Sequence, residues 1–213
     1  MRIALVITVF NESSVINSVL RGVLKVIKNV FVVNDASTDK TKAKLLKLPV
    51  TLINNFTNLG YTKSLEKGII KAFKTGADFV ITFDGDGQHD PTDIKKIIKI
   101  IDMYQPDLII GRRHKKNRFM EEVFGLYSKT KYGFSDPLCG LKAYKKDFFY
   151  TYGGRLENKY TIGTEIIFRA LRDGVEYFEI PIKSSKRKNV SRFGNQLKGN
   201  LLELKAFLNI LFT

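Results

Sequence analysis

The chain has 213 residues, of which 44% are hydrophobic and 27% charged, and this length is enough for one domain with a buried core. Its one cysteine, Cys139, excludes a disulfide framework within the chain and a multi-cysteine zinc site. A formal net charge of +15 favours an anionic partner, which could be a nucleic acid, a phosphate-rich small molecule or an acidic lipid surface.

The N-terminal residues do not have the pattern of a targeting segment. The stretch "MRIALVITVF" carries one positive charge and leads directly into "NESS", without the small-residue cleavage site of a secretory signal. No apolar stretch approaches the ~20 residues that a membrane-spanning helix needs. We therefore expect a cytoplasmic protein without a transmembrane segment.

Apolar runs alternate with helical patterns through the first half of the chain. The apolar runs predict strands at residues 2–10, 30–35, 50–54, 78–83 and 107–111. The intervening segments predict helices at residues 13–27, 37–47, 62–76 and 91–104. Ser37 or Thr38 is the expected cap of the second helix. Units of roughly 25 residues indicate βαβ crossovers and a mainly parallel sheet.

The second half of the chain is less regular. Residues 112–118 and 183–192 form two basic loops. Between them the pattern predicts a helix around residues 164–174 and a strand at residues 177–182. The chain ends in an amphipathic helix with one stripe of leucines, Leu197, Leu201, Leu204, Leu208 and Leu211. This stripe fits core packing and a membrane-interfacial face equally well, because charged residues such as Glu203 lie within it.

Polar segments follow three of the predicted strands. They are "NES" (11–13), "NDASTD" (34–39) and "DGDGQHD" (84–90). In an open parallel sheet, ligands bind at the carboxyl ends of the strands. We therefore expect the three segments to converge on one crevice.

The third polar segment places Asp84 and Asp86 two residues apart, with Gly85 and Gly87 leaving room for a ligand. Carboxylates this close repel one another and need a partner. Oxygen ligands of this kind suit Mg²⁺ or Mn²⁺ shared with a substrate diphosphate, although an acidic turn without a ligand is the alternative. The dinucleotide-binding glycine motif, the P-loop and the EF-hand loop are absent, which argues against those classes.

Seven segments resemble, in the correct order, the family-2 glycosyltransferases of GT-A fold, and specifically the polyprenyl (dolichyl) phosphate mannose or glucose synthases. The segments are "TVFNE" (8–12), "VVNDASTD" (32–39), "NLGYTKSLEKG" (58–68), "FDGDGQHDP" (83–91), "GRR" (111–113), "DPLCGLKAY" (136–144) and "RKNVSR" (187–192). The sequence departs from the family pattern at Thr8, Phe10, Asn34, Leu141 and Lys142. The segment between Arg113 and Asp136 is shorter than usual, so the family's interfacial Arg/Ser pair has no counterpart that we can assign.

The resemblance implies a single α/β domain of GT-A fold over residues 1–213, with a mostly parallel, Rossmann-like sheet flanked by helices. Residues 1–111 would bind the nucleotide sugar, and residues 112–213 would bind the acceptor and end in the amphipathic helix. The implied reaction is an inverting, metal-dependent transfer of a hexose from GDP-mannose or UDP-glucose to polyprenyl or dolichyl phosphate.

The resemblance also implies roles for residues that bind the donor. The nucleotide-binding residues are Phe10, Glu12 and Asp35. The ligands of Mg²⁺ or Mn²⁺ are Asp84, Asp86 and Gln88. Asp39 fits nucleotide binding and the start of a helix equally well. We favour His89 as a structural neighbour of the metal over a ligand.

On the acceptor side, Asp136 matches a carboxylate that acts as the base or stabilises the developing positive sugar centre, and Glu165 competes for this role. Arg113, Arg187 and Arg192 would offset the repulsion between two anionic substrates, with Arg192 and Glu165 beside the acceptor phosphate. A phosphomonoester has a second pKa of ~6 and needs little help from a base. If Asp136 only removes a proton, we expect Asp136→Asn to be mild with a phosphate acceptor and severe with a hydroxyl acceptor.

Two other functions fit parts of the sequence. A family-2 transferase with a hydroxyl acceptor would make a glycan or glycolipid, and a non-catalytic domain would use the positive charge to bind nucleic acid. For the favoured function, we expect the protein to lie peripherally at the cytosolic face of a membrane, with the basic loops against anionic lipid. A separate membrane-anchoring subunit is a further expected partner.

Overall fold

The computed structural model describes residues 1–116, 118–156, 163–183, 185 and 196–212. These residues form a seven-stranded sheet in the order β3-β2-β1-β4-β6-β5-β7. Its strands are β1 (Ile3–Val9), β2 (Val30–Asn34), β3 (Thr51–Asn54), β4 (Phe79–Asp84), β5 (Leu108–Arg113), β6 (Lys142–Lys145) and β7 (Tyr177–Ile182). Neighbouring strands are parallel, except that β6 runs antiparallel to both β4 and β5. The predicted α/β fold with a mostly parallel sheet is confirmed.

Helices cover both faces of the sheet. They are α1 (Ile16–Leu24), α2 (Thr41–Leu45), α3 (Tyr61–Lys74), α4 (Thr92–Tyr104), α5 (Phe119–Tyr132), α6 (Lys146–Thr151), α7 (Thr164–Arg172) and α8 (Gln196–Phe212). One hydrophobic cluster packs α1 and α4 on one face, and a second packs α3, α6 and α7 on the other. Because both faces are covered, the central strands are continuous apolar runs without alternation.

Helix α3 lies directly against the sheet. A β-carbon placed on Gly68 would be 2.4 Å from Cγ1 of Val6 on β1 and 2.9 Å from Cγ2 of Val33 on β2. Glycine at this position therefore permits the close approach of the helix to the two strands. This approach sets the position of the N-terminal end of α3, which contributes to the crevice described below.

The predicted strands and longer helices agree with the structure to within a few residues, but the start predicted for α2 is wrong. The helix begins at Thr41 instead of following a cap at Ser37 or Thr38. The hydroxyl of Ser37 accepts a hydrogen bond from the backbone N–H of Asn11 at 3.0 Å, and the backbone N–H of Thr38 donates to the side chain of Asn11 at 2.8 Å. Both residues thus join two loops and do not cap the helix.

Three elements of the second half were not predicted. Strand β6 has only four residues and includes the fully buried Lys142, so it lacks a readable alternation of apolar and polar residues. Helix α5 occupies much of the segment between Arg113 and Asp136, and α6 follows β6 directly. The first basic loop is also shorter than predicted, because β5 continues through Arg113.

The leucine stripe of α8 faces outward where the structure describes it. Leu201, Leu204 and Leu208 are 54%, 37% and 41% exposed, whereas Glu203 and Ala206 are buried. The alternative that these three leucines pack in the core is therefore wrong. Leu197 and Leu211 lie outside the residues whose side chains are described. Among the residues that the structure describes, none of the helices is a candidate membrane span.

Candidate active site

Asp84 lies at the carboxyl end of β4 and is held by two side chains. The hydroxyl of Tyr61, the first residue of α3, donates to Oδ1 at 2.7 Å, and Nε2 of His89 lies 3.1 Å from Oδ2. The imidazole of His89 also packs edge-on against Phe83, with 5.7 Å between ring centroids. His89 therefore contacts both Asp84 and Phe83, and its role as a structural neighbour of a metal stays a prediction.

Asp86 lies two residues further along the same loop. It is buried, and its Oδ1 accepts a hydrogen bond from the backbone N–H of Gln88 at 3.0 Å. The carbonyl of Gln88 in turn accepts a hydrogen bond from the backbone N–H of Ser185 at 2.8 Å. The predicted metal ligands thus share one loop, and the beginning of the second basic segment is joined to it.

The loop before β6 closes against Asp84 from the other half of the chain. A β-carbon on Gly140 would lie 2.2 Å from Oδ2 of Asp84, so only glycine leaves room for the carboxylate. The hydroxyl of Thr82 donates to the carbonyl of Gly140 at 2.7 Å and fixes the loop in this position. Residues from "DGDGQHD" and "DPLCGLKAY" therefore meet at one point.

Asp35, at the carboxyl end of β2, is buried and accepts three hydrogen bonds from the protein. Its Oδ1 accepts from the side chain of Asn55 at 2.9 Å and from the backbone N–H of Leu59 at 2.8 Å, and its Oδ2 accepts from the backbone N–H of Gly60 at 3.0 Å. The carboxylate thereby fixes the loop that leads into α3. It lies at the predicted edge of the sheet, with part of its hydrogen-bonding capacity already used.

The loops after β1 and β2 are held together by Asp39. Its Oδ2 accepts from the backbone N–H of Ser13 at 3.1 Å and its Oδ1 from that of Thr41 at 2.9 Å. Burial alone would raise the pKa of Asp39, but the hydrogen bonds from Thr41 and Ser13 outweigh it and lower the pKa to about 2. Phe10, half-buried, and Glu12, buried, lie in the loop that Asp39 anchors.

Asp136, in the loop before β6, and Arg113, at the end of β5, form a largely buried pair. Nε and Nη2 of Arg113 donate to Oδ2 and Oδ1 of Asp136, both at 2.8 Å, and the backbone N–H of Arg113 donates to Oδ2 at 2.9 Å. Burial opposes the charge of Arg113, yet its bonds to Asp136 raise its pKa above the ordinary value. Two nitrogens of the guanidinium thus engage both oxygens of the Asp136 carboxylate.

Lys142 is a further charged residue of this region. In the sequence it stands out only as a departure from the family pattern, and no role was predicted for it. It is fully buried on β6, opposite Thr82 of β4. Burial lowers the pKa of Lys142 to about 8, while the carboxylates of Glu165, Asp136 and Asp84 favour its charge. A lysine among predominantly apolar neighbours in a central strand was the signal that could have identified it.

The remaining predicted residues lie at the border of the described chain. Glu165 is half-buried in the first turn of α7, and its carboxylate is one of those that favour the charge of Lys142. Arg187 and Arg192 fall outside the described residues, so their predicted contacts with substrate stay predictions.

The protein-family model described as Glycosyl transferase family 2 matches residues 4–181. The chain belongs to this glycosyltransferase family. An uncharacterized protein of Methanocaldococcus jannaschii is 30% identical over 99% of this chain and 93% of its own length. The UDP-N-acetylglucosamine–dolichyl-phosphate N-acetylglucosaminyltransferase of Methanococcus voltae is 26% identical over 85% of each chain, and the undecaprenyl-phosphate mannosyltransferase of Micrococcus luteus is 24% identical over 88% of this chain and 85% of that protein.

The fold of this glycosyltransferase matches solved GT-A structures. Glucosyl-3-phosphoglycerate synthase from Mycobacterium tuberculosis, in complex with Mn²⁺, UDP and glucosyl-3-phosphoglycerate, superposes with a TM-score of 0.77 at 15% identity, over 99% of this chain and 78% of that one. The predicted family and GT-A fold are thus confirmed, and the chain is a sugar-transferring enzyme. The alternative of a non-catalytic nucleic-acid-binding domain is wrong.

We expect Gly140→Ala to destabilise the glycosyltransferase by roughly 1–3 kcal/mol, because the new methyl group overlaps the Asp84 carboxylate. Urea unfolding measures this loss. In the double variant with Asp84→Ala the overlap is removed, so the two changes together should cost less than the sum of the single changes. Strictly additive effects would show that the loop before β6 does not press on Asp84.

Proposed function

We propose that this family-2 enzyme is an inverting transferase that moves a hexose from a nucleotide sugar to polyprenyl or dolichyl phosphate with the help of Mg²⁺ or Mn²⁺. The donor would be GDP-mannose or UDP-glucose. The observation that carries the choice of acceptor is the bidentate pairing of Asp136 with Arg113. Relatives named as dolichyl-phosphate and undecaprenyl-phosphate transferases support the same acceptor class.

The donor side of the crevice suits a metal-bound diphosphate. Asp84 and Asp86 offer carboxylate oxygens on one loop, and Gln88 adds an amide oxygen two residues later. Within the described residues, no cluster of three or more His, Cys, Asp or Glu side chains could hold a metal ion alone. Diphosphate oxygens would therefore complete the ligand set. A divalent cation bound there would offset the charge that develops on the leaving nucleoside diphosphate.

The acceptor side lacks a free base at the predicted position. Both oxygens of Asp136 accept hydrogen bonds from Arg113, so this carboxylate is poorly suited to remove a proton. A phosphomonoester with a second pKa of ~6 is largely dianionic near neutral pH and attacks without losing a proton. A hydroxyl acceptor would need a base much more. We assign Asp136 to holding Arg113 beside the sugar site.

Positive charge for the attacking phosphate would come from the second basic segment. The backbone of Ser185 bonds to the carbonyl of Gln88, and the backbone N–H of Lys183 donates to Oδ2 of Asp93 at 2.7 Å. These contacts bring the start of the segment to the metal-binding loop. Arg187 and Arg192, which follow within a few residues, are the arginines that we propose to contact the acceptor phosphate.

We further propose that the protein works at the cytosolic face of a membrane. Leu201, Leu204 and Leu208 form an exposed apolar stripe on α8, and the net charge of +15 suits an anionic lipid surface. A lipid-linked acceptor would be presented at that surface. A separate anchoring subunit is a compatible partner.

The transfer reaction is tested with a panel of radiolabelled UDP-glucose, UDP-N-acetylglucosamine and GDP-mannose, each with polyprenyl phosphate and Mn²⁺ or Mg²⁺. We expect label from one sugar nucleotide to enter the organic phase, and chelation with EDTA to abolish the transfer. Hydrolysis without transfer, or transfer only to a water-soluble glycan, would contradict the proposed acceptor.

Replacing Glu165 tests whether the reaction needs a base. With polyprenyl phosphate we expect Glu165→Gln to lower kcat by less than ~10-fold, because a phosphate acceptor needs no general base. Loss of a residue that does act as a general base typically lowers the rate by 10²–10⁴-fold. Glu176→Gln, an exposed change after the same helix, is the matched control. A loss of 100-fold or more specific to Glu165 would favour a hydroxyl acceptor.

The membrane surface is tested by sedimentation with vesicles that contain phosphatidylglycerol. Changing the three exposed leucines of α8 to glutamine should reduce binding by at least ~10-fold, because their transfer into the interface is lost. Leu46→Gln removes a leucine that is more exposed than any of the three, from a different element, and should leave binding unchanged. Equal binding of the triple variant and the wild type would refute a docking role for α8.

A further inference from the structure

Five charged side chains form a continuous row from the candidate active site to the C-terminal helix. Beyond the Asp136–Arg113 pair, Nη2 of Arg113 lies 3.2 Å from Oε2 of Glu121. Nη1 of Arg118 lies 3.4 Å from Oε1 of Glu121 and 2.7 Å from Oε1 of Glu203. The row therefore connects the crevice, the start of α5 and the middle of α8.

The row lies in the interior of the protein. The side chains of Glu121 and Glu203 are 5% and 9% exposed, and those of Arg113 and Arg118 are 11% and 12% exposed. Buried charges are costly without partners, so each member depends on its neighbours. Within this row, two arginines form the ion pairs with three carboxylates. Burial is the main cause that raises the pKa of Glu203 to about 7, and repulsion from Glu121 adds to it. Arg118 acts in the opposite direction and lowers this pKa.

Helix α8 is shaped to accommodate the row. A β-carbon on Gly199 would lie 2.4 Å from Nε of Arg118, so the glycine provides the space through which this side chain passes. The side chain of Asn200 accepts a hydrogen bond from the backbone N–H of Met120 at 3.2 Å. Phe207 packs edge-on against Phe124, with 5.1 Å between centroids. These contacts hold α8 on α5 with Glu203 facing inward.

We propose that Glu203 and Arg118 are positioning residues for the transfer reaction, acting through Glu121 on the Arg113–Asp136 pair. Arg118 is shared between Glu203 and Glu121, and Glu121 is shared between Arg118 and Arg113. Without Glu203, Arg118 can turn fully to Glu121 and draw it away from Arg113. The guanidinium of Arg113, and with it Asp136, then loses its fixed orientation beside the sugar. This inference rests on the function proposed above.

Kinetics of Glu203→Gln and Arg118→Gln test the proposal. We expect each change to lower kcat by at least ~10-fold while the KM for the sugar nucleotide changes less than ~2-fold, because the residues proposed to bind the nucleotide and its diphosphate lie outside the row. Arg118→Lys keeps the charge and should retain most of kcat. Glu122→Gln, the exposed neighbour of Glu121, and Lys205→Gln, exposed on α8, are the matched controls.

A second measurement requires no substrate. In ¹⁵N spectra, the Nε–H signal of Arg113, assigned by its loss in Arg113→Lys, should exchange slowly with water in the wild type. It should exchange at least ~10-fold faster in Glu203→Gln, and at the wild-type rate in Lys205→Gln. Failure of the wild type to transfer sugar would refute the proposed function. The exchange rate of the Arg113 signal would then be the test of whether Glu203 influences Arg113. Unchanged exchange, or equal kcat values in folded variants and controls, would overturn the proposal.

Discussion

The antiparallel course of β6 is the constraint on which the site depends. Because β6 lies between β4 and β5 and runs opposite to both, it begins at the edge where those strands end. The loop before β6 therefore delivers Asp136 and Gly140 to the carboxyl ends of β4 and β5, beside Asp84 and Arg113. A parallel strand in that place would begin at the opposite edge and leave the crevice without its second wall.

Protein donors already engage the principal carboxylates of the crevice. Asp35 holds the loop before α3, Asp84 accepts from Tyr61, and Asp136 is paired with Arg113. Such pairing orients each carboxylate and occupies its oxygens with protein donors. Carboxylates held in this way fit the proposed role of positioning charged substrates better than a role in moving protons. This property agrees with a phosphate acceptor, which attacks without losing a proton.

Helix α8 combines two properties on opposite faces. Its inward face places Glu203 at the end of the buried row of charges, and its outward face exposes three leucines. An amphipathic helix ordinarily turns its leucines inward. Here the inward positions are occupied by small and charged residues that fit around Arg118, which leaves the apolar stripe on the surface. The proposed contact with a lipid surface would therefore involve the same helix whose Glu203 pairs with Arg118.

The strands and longer helices of the first half, the convergence of "DGDGQHD" with the other polar segments at one edge of the sheet, and the family could all be predicted from the amino-acid sequence. These features follow from local periodicity and from the direction of parallel strands. The insertion of β6, the pairing of Asp136 with Arg113 and the outward direction of the α8 leucines became visible only in the folded chain. Each of these features depends on which distant segments pack together. The periodicity of one segment does not show which other segments lie against it in the fold.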